Sequence, residues 1–244
     1  MVMRWLRSEE GGHPRPMTTD EVKQRSAFLE SIGSQSIWTA DLIVLLEELS
    51  TYKYHQQSSS SSPSTMSSMR YLFCSKTLTV DQHHSYLDYY RAAFVDDSAR
   101  VSNKFQQLKA NGAPMCKIDN LSIHRVVELI QRPNCVAIAL VDNSILCCCP
   151  PMVETTRSDR KQSLSYTGHY ILLCGVSDNA DHIRQATSYV GRDETIELSS
   201  CLVALNPGKT AVMYITLEYF EQAWRATGTD EDIIFVAKIS KQRQ

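Results

Sequence analysis

The stretch Gly168-His169-Tyr170-Ile171-Leu172-Leu173-Cys174-Gly175 decides how the chain is read. A closed apolar run of this length between two glycines reads as a buried β-strand, being too short for a core helix. His169 then stands at the start of a core strand, held rigidly where a titratable ring can move protons. Gly168 beside it is expected to leave room for another backbone or a substrate. An ordinary core histidine has the same surroundings, so partners elsewhere in the chain must decide its role.

Working outward, three further apolar segments of the second half read as strands. Cys135 to Val141 is apolar on both faces and is expected at the centre of a sheet. Cys201 to Leu205 stops at Asn206-Pro207-Gly208, and Asp232 to Ala237 forms a closing strand. If the strands that carry His169 and Asn206 are antiparallel neighbours, the start of one lies beside the end of the other and the two polar residues meet. An amide that holds one ring nitrogen of a histidine fixes its tautomer and steadies the imidazolium, as in a Cys-His-Asn hydrolase. Asn206 also has an ordinary role open to it, as a turn residue before Pro207.

Helical signals dominate the first half. Thr18 or Thr19 caps a helix from Asp20 to about Leu29, and a second runs to about Leu49 with Leu42, Leu45, Leu46 and Leu49 on one face. Arg70 to Val80 reads as a strand; Asp81 to Phe94 and Ser98 to Ala110 read as helices separated at Asp96-Asp97. Cys116 to Ile118 is a short strand. Ser122 caps a helix that Pro133 ends, and Thr216 caps another through Arg225. Helices first and strands afterwards give an α+β fold, with helices packed on a mostly antiparallel sheet. One domain over residues 1–240 is expected, interrupted by a serine-rich disordered insertion at 56–68 and a polar insertion at 180–199.

Composition narrows the function. The chain has 244 residues, 43% of them hydrophobic, enough for one sizeable core. A net charge of -2 with scattered Lys and Arg argues against nucleic acid as a partner. The apolar runs fall well short of the roughly 20 residues that span a bilayer, so no membrane association is expected. Without a secretory signal near Met1, the eight cysteines are expected as reduced thiols in cytosol or nucleus. Cys147-Cys148-Cys149 lacks the two-residue gap of a zinc knuckle and reads as a loop with incidental thiols. Cys74, Cys135, Cys174 and Cys201 fall in apolar strands, where burial makes a thiol inert, and no cysteine begins a helix. A thiol nucleophile for His169 and Asn206 is therefore missing, and Met1 to Leu6 reads as the back half of a helix whose front is absent.

Several segments carry a resemblance. Ser36-Ile37-Trp38-Thr39-Ala40-Asp41-Leu42, Phe73-Cys74-Ser75-Lys76-Thr77-Leu78, the Gly168-His169 strand, Asn206-Pro207 and Gly228-Thr229-Asp230-Glu231-Asp232-Ile233-Ile234-Phe235-Val236 are similar to the guanylyl cyclase domain-containing family of eukaryotes. The resemblance is collinear from Met1 to about Val236. It implies a papain-like fold akin to bacteriocin-processing thiol peptidases, with His169 and Asn206 as the histidine and amide of the triad. In that family the cysteine belongs to an Asp-Cys-Gly segment just ahead of the residues that match Met1 to Leu6. The expectation is thus an N-terminally incomplete domain or a pseudoenzyme that has lost its nucleophile.

The family name also implies conversion of GTP to cyclic GMP, with Mg²⁺ or Mn²⁺ on paired carboxylates. Asp230 and Asp232 are the candidates, because alternate residues of a strand share a face. No glycine loop has phosphate-cradling spacing, and for the acidic trio a solvated strand entry is the competing reading. Outside that alternative no cofactor is expected. A third possibility is a non-catalytic module that binds a protein or peptide partner.

Overall fold

The computed structural model describes residues 37–57, 67–91, 94–146, 166–188, 199–207 and 212–240. The helix expected from Asp20 to Leu29, Met1 to Leu6, most of the serine-rich stretch and the Cys147 cluster lie outside the described residues. Among the described residues seven strands form one sheet in the order β2-β1-β7-β3-β4-β5-β6. They are β1 (Ser67–Ser75), β2 (Met115–Lys117), β3 (Cys135–Asp142), β4 (Gly168–Ser177), β5 (Cys201–Leu205), β6 (Val212–Thr216) and β7 (Ile233–Ser240). Every neighbouring pair is antiparallel except β1 with β2. β3 is the middle strand, as its two-sided apolar sequence requires.

Helices cover both faces. α1 (Thr39–Gln57), α2 (Asp88–Arg91) and α3 (Phe94–Ala110) lie on one; α4 (Ile123–Ile130) and α7 (Leu217–Trp224) lie on the other, near the short α5 (Asn143–Leu146). α6 (Ala180–Ser188) follows β4. The alternation of strand side chains divides the core in two. Ala137, Ala139, Ile171, Leu173 and Ile233 meet Val126, Phe220 and Trp224, while Val136, Leu172, Ile234 and Val236 meet Ile43, Val101 and Phe105. The α+β class is thus observed, and among the described residues no helix is long and apolar enough to cross a membrane.

Local chemistry explains most boundaries and several departures from the sequence reading. The Ser122 hydroxyl accepts from Arg125 N at 3.3 Å and the Thr216 hydroxyl from Tyr219 N at 3.2 Å, so both expected caps start their helices. Asp96 and Asp97 do not separate two helices: they sit in the first turn of α3, where carboxylates suit the helix dipole. The expected helix from Asp81 becomes a 3-10 turn (Gln82–Tyr86) and then α2, broken at the extended Leu87. β1 begins inside the serine-rich stretch, at Ser67, and ends at Ser75 instead of Val80. The polar insertion contains helix α6, started by the Asn179 side chain, which accepts from Asp181 N at 2.9 Å. β6 was not legible, since Val212 to Ile215 is short and joined directly to a helix cap.

Candidate active site and acidic cluster

His169 and Asn206 reach each other through sheet register. Leu172 of β4 pairs with Leu205 of β5, so one further step sets Asn206 opposite Ile171, on the face that His169 also uses. The side chains meet with His169 Nε2 and Asn206 Oδ1 2.9 Å apart. Asn206 is buried and His169 half-buried. An amide oxygen only accepts, so Nε2 carries the proton and Nδ1 keeps its lone pair. Among the described residues Nδ1 has no hydrogen-bond partner. The pair can therefore orient a general base whose free nitrogen is Nδ1.

Gly168 plays a different part from the one its sequence position suggests. A Cβ there would lie 2.8 Å from the Tyr166 hydroxyl oxygen and 3.3 Å from Cε1 of Tyr89, and the Tyr89 hydroxyl donates to Gly168 O at 3.0 Å. Tyrosine rings, not a substrate, occupy the room that glycine leaves. The described cysteines follow the expected pattern. Burial pushes the Cys74 thiol up to about 11 and raises those of Cys135, Cys174 and Cys201; Cys116 is exposed.

The acidic trio does not lie on a strand. Asp230 and Glu231 have φ of 51° and 52°, a left-handed turn just ahead of β7, so strand alternation does not govern their directions. Each carboxylate goes its own way. Asp230 Oδ2 accepts from the Thr77 hydroxyl at 3.1 Å, and its Oδ1 lies 3.3 Å from His84 Nε2. Glu231, 2% exposed, is held by Lys76 Nζ at 2.5 Å and Arg225 Nη1 at 2.9 Å. Asp232 is buried and accepts from the Thr39 hydroxyl, which also lies 2.9 Å from the Tyr170 hydroxyl. Burial, with the Asp230 charge adding to it, pushes the Asp232 carboxyl up to about 7. Asp232 is thus out of water against the Thr39 hydroxyl, while Asp230 turns to Thr77 and His84, and the two carboxylates are held by different partners. The convergent group is different: one ligand atom from each of Asp81, His84 and Asp230 lies within 4.8 Å of the others. Sequence reading passed over Asp81 and His84, although Asp81-Gln82-His83-His84 packs two imidazoles and a carboxylate into one short loop.

A family model described as guanylylate cyclase matches residues 15–236. The chain belongs to the guanylylate cyclase family. Guanylyl cyclase 1 of Arabidopsis thaliana is 24% identical to it over 208 residues, covering 85% of this chain and 62% of the relative. The chain thus spans less than two thirds of that relative's length. No solved structure matches it. The segments through which this guanylylate cyclase family chain showed its kinship come together in space. Thr39 meets Asp232, Thr77 meets Asp230, Lys76 meets Glu231, and the Asp230 carbonyl accepts from Lys76 N at 2.8 Å.

Proposed function

We propose that this chain carries the general-base half of a papain-like thiol-hydrolase site, with His169 as base and Asn206 as the residue that orients it. The observation that carries the reading is the 2.9 Å contact between His169 Nε2 and Asn206 Oδ1, which leaves Nδ1 bare on a half-buried ring. A thiol presented to Nδ1 would lose its proton there, and the resulting imidazolium would be steadied by the amide oxygen. The substrate class is a peptide or other acyl compound, and the thiol is not Cys74, Cys135, Cys174 or Cys201, whose burial keeps them protonated.

The test is a thiol-directed electrophile, an epoxysuccinyl peptide, applied to protein expressed with any in-frame Asp-Cys-Gly segment encoded upstream of Met1. Labelling of that cysteine is expected, with loss in His169→Ala and a drop of roughly 10²-fold or more in labelling rate. A folded protein that contains the cysteine and labels no faster than free thiol refutes the proposal. So does a reading frame without the cysteine together with a ring protonated at Nδ1.

A second reading, cyclisation of GTP to cyclic GMP, is favoured by the family description and by the name of the plant relative. Purified protein with GTP and Mg²⁺ or Mn²⁺ should then form cyclic GMP above a heat-killed control. Absence of product removes this reading. Under this reading Asp230 and Asp232 would be the carboxylates that hold the metal, and replacing both with alanine should abolish the product.

A further inference from the structure

The loop before α2 and the turn before β7 meet at a group of side chains of which the cyclase reading names only Asp230. Asp81 opens the 3-10 turn, where its Oδ1 accepts from His83 N at 2.9 Å and lies 2.9 Å from His83 Nδ1. His84 is fixed between aromatic rings: Tyr90 stacks on it with centroids 5.1 Å apart, and Trp38 lies at 6.1 Å. Its side chain is 6% exposed, its Nε2 faces Asp230 Oδ1 at 3.3 Å, and its Nδ1 is buried with no hydrogen-bond partner. Asp230 is presented by its left-handed backbone and braced by Thr77.

His84 Nε2 faces Asp230, and the Asp81 carboxylate comes within 4.8 Å of the same group, so two carboxylates converge beside one buried imidazole that can offset at most one of their charges. That convergence calls for a cation. The Asp81 carboxylate is 35% exposed and the Asp230 carboxylate 17% exposed, so one side of the group opens to water while the imidazole side is closed. Imidazole with carboxylates suits zinc-like borderline ions, whereas Mg²⁺ and Ca²⁺ favour all-oxygen shells. Zinc ligands sit about 2.0–2.2 Å from the metal, and the exposed Asp81 can swing to close the remaining distance. His83, 86% exposed and already against Asp81, offers a second imidazole.

We propose that Asp81, His84 and Asp230 form a binding site for a zinc-like divalent cation, with His83 as an additional ligand on its open side. The site ties the loop before α2 to the turn before β7 and depends on neither the thiol nor the cyclase reading.

The test uses the full chain, stripped with chelator and titrated with ZnCl₂ by calorimetry in the absence of peptide or GTP. One equivalent is expected to bind and to raise Tm. Asp81→Asn and His84→Gln should each weaken binding tenfold or more, while Asp181→Asn, a remote exposed control, should change nothing. X-ray absorption at the zinc edge should show nitrogen and oxygen neighbours without sulfur, which separates this site from the Cys147 cluster. Because Asp81 is partly exposed, its variant retains the fold by circular dichroism even if His84→Gln does not. Absence of a bound equivalent, affinity unchanged in Asp81→Asn, or a sulfur shell would each overturn the proposal; the first would mean that a proton on His84 is the only cation there.

Discussion

Removing the Asn206 side chain is the sharpest probe of the His169 pair, because it changes the ring's tautomer without touching the ring. In the wild type the amide oxygen 2.9 Å from Nε2 selects the Nε2–H form. A net hydrogen bond of this kind is worth about 1–1.5 kcal/mol, at the upper end of the neutral range because Asn206 is 3% exposed and water does not compete for its oxygen. That corresponds to about a tenfold bias in tautomer ratio, since 1.4 kcal/mol is one decade. Nitrogen-15 correlation spectra of the histidine rings, recorded well above pH 7 so that the imidazole is neutral, read the ratio directly. The wild type should show protonated Nε2 and bare Nδ1. Asn206→Ala should shift the ratio by about tenfold toward Nδ1–H, and Asn206→Asp, which keeps an acceptor in place, should retain the wild-type form. A wild-type ring protonated at Nδ1 would refute the assignment of His169 as a base through that nitrogen. An Asn206→Ala ring indistinguishable from wild type would show that the amide does not orient it.

Three further outcomes test the framework around the site. Asp41 is fully buried, with Oδ1 meeting Arg100 Nη1 at 2.6 Å and Lys104 Nζ at 2.5 Å and Oδ2 accepting from Trp38 N at 2.9 Å, so Asp41→Ala takes this carboxylate from Lys104, leaves Arg100 with Asp97 at 3.0 Å, and should cost about 1.5–3 kcal/mol in urea denaturation. A loss under 1 kcal/mol would mean that the cations are free to turn into water. Gly228 has φ of 100° and a Cβ there would lie 2.6 Å from Leu87 Cδ1 and 3.1 Å from Tyr166, so Gly228→Ala should cost about 1–3 kcal/mol by the same assay. An unchanged midpoint would refute the crowding. With the Cys74 thiol pushed to about 11 by burial, about one molecule in a thousand is thiolate at pH 8, and iodoacetamide mapping by mass spectrometry should label exposed Cys116 well before Cys74, Cys174 or Cys201. Equal labelling rates would contradict the strand burial.

The sequence carried the periodic features of the fold and lost the ones set by single dihedrals. Cys135 to Val141 announced a central strand because seven consecutive apolar residues can be buried only with layers on both sides. Ser122 and Thr216 announced helix starts because a side-chain oxygen followed by an apolar period has one use. The meeting of His169 with Asn206 was legible for the same reason: antiparallel pairing of adjacent strands is a rule about order, needing no knowledge of side-chain packing. The break at Leu87 carries no glycine or proline to mark it, and the left-handed Asp230 and Glu231 use residue types that only occasionally adopt that backbone. Asp81 and His84 were missed because their third member lies 146 residues further on and is aimed by that turn.

The convergence of the family-like segments bears on how such motifs should be read. The polar side chains of Trp38-Thr39-Ala40-Asp41 all find partners inside the structure: Trp38 Nε1 donates to Asp97 Oδ2 at 3.1 Å, Thr39 bridges Asp232 and Tyr170, and Asp41 gathers Arg100 and Lys104. Thr229 donates to Ala226 O at 2.9 Å and also to Trp224 O at 2.5 Å, and Glu231 joins Lys76 to Arg225. These contacts fasten the start of α1 to the start of β7 across the middle of the sheet. Partners that are already satisfied have little left with which to bind a substrate, so in this chain most of these residues lock the fold. His169 differs because Nδ1 has no partner among the described residues, and His84 differs because its own Nδ1 is buried without one. An unspent donor or acceptor on a rigid ring separates chemistry from scaffolding here: His169 stands at the start of β4, and His84 faces the turn that leads into β7.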